Sequence, residues 1–247
     1  MALLEIRGLR KYFGRLCAVN VAELDIGEGE ITSIIGPNGA GKTTLFHLIT
    51  GRFSPDAGTV KFKGEEIVGL SPYRIARKGI SRSFQITSIF PALTVYENIK
   101  VAVLAGMEWS GKIFSSNGRL STVEEKVARI VDVLGLVEKS DLPAGILSHP
   151  EQKLVELGIV LAADAELLLL DEPTSGLSPK ETDDMVSFLR DLVKREGLTL
   201  VLTEHDMRVV FTISDRIIVL HQGEIIADGQ PDAIQGNRGV KEAYFGE

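Results

Sequence analysis

The sequence predicts an α/β fold, on three observations. An apolar, β-branched run at 31–35 leads into a glycine-rich stretch at 36–44 and then into an apolar helical segment. Four leucines at 167–170 run into two carboxylates, as expected of a buried parallel strand whose carboxyl end opens on a site. Apolar residues recur at helical spacing in 122–134 and again in 182–194. Strands and helices therefore alternate along most of the chain.

The amino-terminal third is predicted to hold several strands around the glycine-rich stretch. Residues 4–9 alternate and residues 18–26 are strand-like, while 59–62 and 66–68 predict shorter strands. Ser71 followed by Pro72 is typical of a helix start, which predicts a helix over 72–78. The alternation of 80–85 predicts a further strand that ends at a polar tip.

Residues 86–160 are predicted to be a helical insertion into an α/β core formed by 1–85 and 161–247. Thr94 and Glu97 have the spacing of a capping box, which indicates a helix start. The Gly/Ser-rich residues 109–118 predict a loop before the helix at 122–134.

The α/β pattern returns in the last third. An amphipathic helix over 182–194 precedes a buried strand at 198–202. Residues 216–220 and 224–227 flank Gln222-Gly223, which is a hairpin pattern. Two short helices are expected after that hairpin.

The glycine-rich stretch has the chemistry of a nucleotide site. Its glycines let the backbone curl so that successive N–H groups face one anion at a helix start. Lys42 adds a positive charge for the β- and γ-phosphates, and the Thr43 hydroxyl can ligate Mg²⁺. A turn that matches the pattern by chance is the alternative, and the strand before it and the helix after it favour nucleotide binding.

Three more side chains stand where buried strands end. Asp171 needs a partner for its buried charge, and a metal held against the phosphates would supply one. Glu172 can orient or deprotonate a water that attacks the γ-phosphate. For His205 we favour a γ-phosphate contact over a structural role. Composition favours Tyr12 and Phe13 as core residues, with a stacking platform for adenine as the alternative.

Composition narrows the class of protein. The 247 residues suffice for one large core or two lobes. A net charge of −7 disfavours nucleic acid as the main partner, although a local basic patch is compatible with it. Cys17 is the single cysteine, which favours a reducing cytoplasm. We expect no secretory signal and no membrane span, since charges break the most apolar stretch, 157–170.

The order of these motifs resembles the nucleotide-binding subunits of ATP-binding cassette (ABC) transporters over nearly the whole chain. Residues 36–44 are similar to that family's Walker A loop, and 167–172 to its Walker B strand with the catalytic glutamate. Residues 175–179 are similar to its D-loop, with Ser178 where the family usually has Asp. The resemblance implies a RecA-like P-loop NTPase core with an N-terminal antiparallel β subdomain, and a helical signature subdomain over 86–160.

The resemblance also implies ATP and Mg²⁺ as cofactors and assigns roles to single residues. Gln85 matches the Q-loop glutamine, which touches Mg²⁺ and relays the nucleotide state to the membrane partner; His205 matches the switch histidine. Phe13 matches the adenine-stacking position, with Tyr12 as the alternative. The implied catalytic residues are Glu172, His205, Lys42 and Gln85, and the implied metal ligands are Thr43, Gln85 and Asp171. The implied nucleotide-binding residues are Phe13, Gly36, Asn38, Gly39, Ala40, Gly41, Lys42, Thr43, Thr44 and Ser148.

The signature segment departs from the family pattern Leu-Ser-Gly-Gly-Gln. This chain has Leu147-Ser148-His149-Pro150-Glu151, in which Pro150 has no N–H to donate and Glu151 adds a negative charge. Ser148 and Glu151 also fit a capping box, and a capped helix still points its dipole at a phosphate. We therefore expect a functional but weakened contact with the ATP of the opposite subunit.

Three local features look most like the ATPases of branched-chain amino acid importers: Phe84-Gln85 followed by 93–98, residues 203–207, and the tail 226–247. The resemblance implies an ATPase on the cytoplasmic face of the membrane that dimerises head to tail with a second copy or a related ATPase. Two transmembrane permease subunits would dock on the helical insertion, and an extracytoplasmic solute-binding protein would act indirectly. Such a subunit has no nucleic-acid partner.

Two other functions remain open at this point. One is a soluble ABC-type ATPase that acts on an assembly or on nucleic acid. Those acting on DNA usually carry a long coiled-coil insertion or zinc-binding cysteines, and this sequence has neither. The other is a nucleotide-binding regulatory module whose unusual signature segment makes it a poor enzyme.

Overall fold

A computed structural model describes residues 2–83, 89–107 and 117–245. The strands in these ranges are β1 (Ala2–Phe13), β2 (Leu16–Gly27), β3 (Ile31–Ile35), β4 (Ala57–Phe62), β5 (Glu65–Glu66), β6 (Ile80–Arg82), β7 (Leu167–Asp171), β8 (Thr199–Thr203), β9 (Arg216–His221) and β10 (Glu224–Gly229). The α-helices are α1 (Lys42–Ile49), α2 (Pro72–Arg77), α3 (Val95–Gly106), α4 (Asn117–Val133), α5 (His149–Leu161), α6 (Pro179–Glu196), α7 (Met207–Ile213), α8 (Pro231–Gln235) and α9 (Arg238–Phe245).

The strands form two sheets, and this arrangement confirms the predicted α/β fold. A six-stranded sheet has the order β10-β9-β3-β8-β7-β6 and is parallel except for β10, which returns from β9 as the predicted hairpin. A four-stranded antiparallel sheet has the order β2-β1-β4-β5. The antiparallel amino-terminal sheet that the family resemblance implied is therefore present.

The register of the parallel strands brings their carboxyl ends to one edge of the sheet. Asp171 at the end of β7 pairs with Thr203 at the end of β8, and Ile34 near the end of β3 also pairs with Thr203. Strands β3, β7 and β8 are buried along their whole length, as expected of a central parallel sheet covered on both faces. The loops that follow these three strands therefore meet at one place.

The helices between β6 and β7 pack on one face of the six-stranded sheet. Apolar side chains of α3, α4 and α5 share one core with sheet residues such as Leu168 and Leu200. The predicted capping box of α3 is confirmed: the Thr94 hydroxyl accepts from the Glu97 N–H at 3.0 Å, and the Glu97 carboxylate accepts from the Thr94 N–H at 2.8 Å. The division of the chain into 1–85 with 161–247 and 86–160 stays a prediction.

Several predicted boundaries differ from the structure. The strand predicted over 66–68 is the shorter β5 (Glu65–Glu66), and the helix predicted over 182–194 is the longer α6 (Pro179–Glu196). The strand predicted over 80–85 ends at Arg82, and residues 84–88 lie outside the described ranges. The loop predicted over 109–118 ends earlier, because α4 begins at Asn117; residues 108–116 are also outside the described ranges. None of the helices in the described part of the chain is long and apolar enough to cross a membrane.

Candidate nucleotide site

The loop between β3 and α1 passes so close to neighbouring backbone that two positions admit only glycine. A Cβ at Gly36 would lie 2.0 Å from the carbonyl oxygen of Leu220 in β9. A Cβ at Gly41, where φ is +104°, would lie 2.4 Å from the carbonyl oxygen of Ala18 in β2. The hairpin after β9 supports the same loop, since the Gly223 N–H donates to the Ala40 carbonyl at 2.9 Å. The loop is therefore fixed on both sides as it enters α1.

Lys42 lies buried at the first position of α1, directly over this loop. Its Nζ donates to the carbonyl oxygen of Gly36 at 2.6 Å and to that of Pro37 at 3.2 Å. Burial lowers the pKa of Lys42, and the nearby Glu172 and Asp171 carboxylates oppose that shift. A cation held by loop carbonyls beside a helix start can exchange these weak partners for phosphate oxygens. The glycine cradle and the lysine thus fit a polyphosphate.

A cleft of about 790 Å³ opens above the loop and gathers most of the residues predicted for the site. Those that line it are Phe13, Asn38, Gly39, Ala40, Gly41, Lys42, Thr43, Thr44, Asp171, Glu172 and His205. Gly36 lies beneath the loop against β9, and Ser148 is not among the lining residues of this cleft. Gln85 lies outside the described residues.

Tyr12 and Phe13 lie at the end of β1 and are not core residues, because each is 45% exposed. The Phe13 ring meets the Phe53 ring edge to face, with the centroids 5.5 Å apart. Phe13 lines the cleft, whereas Tyr12 does not. A supported, half-exposed ring at the rim of a cleft can stack on a base.

Asp171 is held by partners that the sequence did not indicate. Arg82 at the end of β6 donates to Oδ2 of Asp171 through Nε at 2.9 Å and also through Nη2. The hydroxyl of Thr203 donates to Oδ1 at 3.1 Å. The structure thus gives this buried charge a guanidinium partner, and the metal expected from the sequence stays a prediction. The sequence showed Arg82 as a lone basic residue within an otherwise uncharged strand pattern, but nothing in it indicated Asp171 as the partner.

Glu172 and His205 form a pair at the mouth of the cleft. Nε2 of His205 lies 3.0 Å from Oε1 of Glu172. Glu172 has φ of +48°, a conformation that non-glycine residues rarely adopt, and its N–H donates to the Thr203 carbonyl at 2.9 Å. The bend turns the chain out of β7 immediately after Asp171. The carboxylates of Asp171 and Glu172 can thereby face the same cleft.

A buried glutamate that sequence reasoning missed fixes the loop after Glu172. Glu204 is 5% exposed, and its Oε1 accepts the Thr174 N–H at 2.9 Å and the Thr174 hydroxyl at 2.7 Å. Glu204 immediately precedes His205, so this carboxylate ties the loop carrying His205 to the loop after β7. The sequence showed an acidic residue beside His205 but no sign of its partner.

The signature segment begins α5, as its capping-box spacing predicted. The Ser148 N–H donates to Oε2 of Glu151 at 3.0 Å, and Lys139 forms an ion pair with Glu151. The bond from Lys139, and then those from Ser148, lower the pKa of Glu151. The His149 ring covers Gly176, since a Cβ at that glycine would lie 3.0 Å from Cε1 of His149. The negative charge of Glu151 is therefore compensated inside its own subunit.

The donor set at the cleft suits a hard divalent cation that shares its ligands with phosphate. Within the described residues no three His, Cys, Asp or Glu side chains could hold a metal by themselves. The Thr43 hydroxyl and the Asp171 carboxylate line one cleft and offer only oxygen. Mg²⁺ is commonly held by one or two protein oxygens together with substrate phosphates.

Comparison with known proteins agrees with this geometry. The ABC transporter family model matches residues 19–175. The high-affinity branched-chain amino acid transport ATP-binding protein BraF of Pseudomonas aeruginosa is 40% identical over 99% of this chain and 98% of its own length. The corresponding protein LivG of Escherichia coli K12 is 38% identical over the same shares of the two chains.

Solved structures match along the whole chain as well. A nucleotide-free ATP-binding cassette from an ABC transporter superposes with a TM-score of 0.87 at 31% identity, covering 100% of both chains. The ADP conformation of an ATP-binding cassette gives the same three values. The chain therefore belongs to the ABC transporter family, as one of its ATP-binding ATPase subunits.

Proposed function

We propose that this chain hydrolyses ATP to power an importer for branched-chain amino acids or a similar small solute. The observation that carries the proposal is the meeting of the glycine loop, Asp171, Glu172 and His205 in one cleft. The curated relatives that are 38–40% identical over nearly the whole chain are themselves branched-chain amino acid transport proteins, which supports the choice of solute.

The nucleotide would lie along the cleft, with its base on Phe13 and its phosphates on the glycine loop. The backbone N–H groups from Asn38 to Thr44 and the Lys42 ammonium would bind the β- and γ-phosphates. Thr43 and Asp171 would hold Mg²⁺, with Gln85 as a further ligand. When bound, Mg²⁺ would offset the negative charge on the phosphate oxygens during transfer.

Glu172 would take up the proton of a water that attacks the γ-phosphorus, while the bond to the β-phosphate oxygen breaks to give ADP and phosphate. Its partner His205 would hold the carboxylate in place and contact the γ-phosphate. The strained backbone of Glu172 and its N–H bond to Thr203 fix the carboxylate at the cleft mouth. This prior positioning supports general-base catalysis.

Two such chains would pair head to tail, each placing Ser148 and the start of α5 against the ATP of the other. The internal pairing of Glu151 with Lys139 leaves the α5 dipole available for that contact. Pro150 has no N–H to donate, and His149 and Pro150 replace two flexible glycines of the family pattern. The contact of this segment with the opposite ATP would therefore be weaker than that of the usual signature sequence.

The dimer would bind two transmembrane permease subunits through residues 86–160 on the cytoplasmic face of the membrane, while 1–85 and 161–247 hold the nucleotide. An extracytoplasmic solute-binding protein would deliver the solute on the other side. A soluble ATPase acting on an assembly or on nucleic acid is less well supported, given the acidic composition and the relatives.

Affinity purification of the tagged chain from gently solubilised native membranes, with mass spectrometry of the partners, tests the transport role. We expect polytopic membrane proteins and a solute-binding protein, whose bound solute can then be identified. A tagged, unrelated peripheral protein from the same membranes is the control. Recovery of soluble assembly factors or nucleic acid alone would refute the transport role and leave the ATPase chemistry intact.

A further inference from the structure

Arg82 and Asp171 form a buried ion pair between the ends of β6 and β7. Their side chains are 8% and 2% exposed, and Cζ of Arg82 lies 5.3 Å from the centre of the Phe46 ring. A buried pair of this kind is fixed in geometry, because neither charge can turn to water. The pair lies at the strand end where Asp171 enters the nucleotide cleft.

The two oxygens of Asp171 are used unequally. Oδ2 accepts two N–H groups of Arg82, which uses both of its lone pairs. Oδ1 accepts the Thr203 hydroxyl, and within the described residues this bond leaves one of its lone pairs for another ligand. Among the bonds to described residues, Asp171 is thus fully bonded at Oδ2 and has free capacity at Oδ1.

Arg82 is itself held from α1. Its Nη1 lies 2.8 Å from Nδ1 of His47. A guanidinium cannot accept a hydrogen bond, so Nδ1 accepts and the ring proton is on Nε2. Burial, and then the positive charge of Arg82, lowers the pKa of His47, which favours this neutral ring. The Phe53 ring packs against the same imidazole, with the centroids 4.8 Å apart.

We propose that Arg82 is a positioning residue for the metal-binding carboxylate: it holds Asp171 by Oδ2 so that a divalent cation meets Oδ1, and His47 holds Arg82 in turn. The proposal rests on the proposed nucleotide function, in which Thr43 and Asp171 share the cation. The bonds join α1, which begins at the glycine loop, to β7, which ends at the carboxylate. The residues that would bind phosphate and the carboxylate that would bind the metal are therefore held in fixed relative positions before the nucleotide or the cation binds.

Mn²⁺, which accepts the same oxygen ligands as Mg²⁺, gives a direct readout that does not depend on turnover. The full chain is saturated with a non-hydrolysable ATP analogue, and free Mn²⁺ is followed by electron paramagnetic resonance during a titration. Arg82→Lys keeps the charge but loses the two-point contact with Oδ2 and the reach to His47. We expect it to bind Mn²⁺ at least about tenfold more weakly, the usual cost of losing a partner that orients a metal ligand.

His47→Phe keeps a ring against Phe53 and removes the acceptor for Arg82, so we expect a loss of up to about fivefold, the worth of one hydrogen bond. Arg216→Lys is the matched control. Arg216 also binds one aspartate, Asp228, through Nε and Nη2, but at the start of β9, away from the cleft. The Mn²⁺ affinity of Arg216→Lys should equal that of the parental chain.

Analogue affinity in EDTA separates positioning from folding, since Arg82 does not contact the glycine loop in the proposed arrangement. Unchanged affinity in EDTA together with weaker Mn²⁺ binding supports the proposal. Mn²⁺ affinity within twofold of the parental value for Arg82→Lys would overturn it, and so would loss of analogue binding in EDTA by that variant. A parental chain that does not bind the analogue at all would instead refute the nucleotide function.

Discussion

Glu172→Gln tests the proposed chemistry most directly, because the two side chains have the same shape and only the carboxylate can take up a proton. Gln can still accept the hydrogen bond from Nε2 of His205, which lies 3.0 Å from Oε1. The backbone bond from residue 172 to the Thr203 carbonyl is unaffected by the side chain. The variant should therefore fold normally and keep the shape of the cleft.

The expected loss in kcat is the contribution of a positioned general base, about 10²–10⁴-fold. This corresponds to about 2.7–5.4 kcal/mol of activation free energy. Affinity for ATP should stay within about twofold, since the phosphates are assigned to Lys42 and to the loop amides. With hydrolysis blocked, the ATP-bound dimer should persist longer than that of the parental chain.

Steady-state phosphate release, nucleotide binding and size-exclusion chromatography in ATP measure these three quantities. Glu166→Gln is the control, because Glu166 precedes the opposite end of β7, is half exposed and pairs with Lys63 away from the cleft. Hydrolysis by Glu172→Gln at the parental rate would refute the role assigned to Glu172. An equal loss in both variants would show that the effect is general destabilisation.

Three further outcomes follow from the geometry of the cleft. Glu204→Leu leaves the N–H and the hydroxyl of Thr174 without their acceptor, so the free energy of unfolding should fall by about 2–4 kcal/mol in a urea titration. A change of less than about 0.5 kcal/mol would show that Glu204 does not hold the loop after β7. Gly36→Ala places a methyl group against the Leu220 carbonyl and should lower the free energy of unfolding by about 3 kcal/mol in the same assay. A methyl group at Gly39 would meet nothing within 4 Å, so Gly39→Ala should lower it by about 1 kcal/mol, through the positive φ alone. Equal losses in the two variants would count against the close approach of Gly36 to Leu220. The lowered pKa of Glu151 means that its bonds to Lys139 and Ser148 stabilise the fold above pH 4.5, the ordinary pKa, and that this stabilisation is lost as pH falls through the lowered pKa. The melting temperature of Glu151→Gln should therefore fall less on acidification below pH 4.5 than that of the parental chain. Parallel curves of melting temperature against pH for the two proteins would refute this role of Glu151.

Local signals in the sequence predicted the elements that build the site. The glycines at 36, 39 and 41 mark a backbone that must curl or approach another strand, and the leucine run before Asp171 marks a buried strand with a polar end. The capping-box spacings at Thr94 and Ser148 predict helix starts from residues three apart. Each of these signals is contained within a few neighbouring residues, so a single sequence is enough to read it.

The missed parts of the site depend on pairs that are far apart in sequence. Arg82 meets Asp171 across 89 positions, and Glu204 meets Thr174 across 30. His47 showed no functional signal in the sequence, because its role comes from Arg82 on another strand. Propensity and periodicity do not encode such pairs; they arise from strand order, which places β6 beside β7 and β7 beside β8.

The same pairs explain how an acidic chain can present a cleft for a polyanion. The chain has a net charge of −7, and within its described part the carboxylates of Asp171, Glu172 and Glu204 approach the cleft or its loops. Each has its own donor: Arg82 for Asp171, His205 for Glu172 and Thr174 for Glu204. Lys42 donates to loop carbonyls, and the two carboxylates that raise its pKa, those of Glu172 and Asp171, already have donors of their own. The local field at the glycine loop is then set by Lys42, the loop amides and the start of α1, all of which favour phosphate whatever the sign of the total charge.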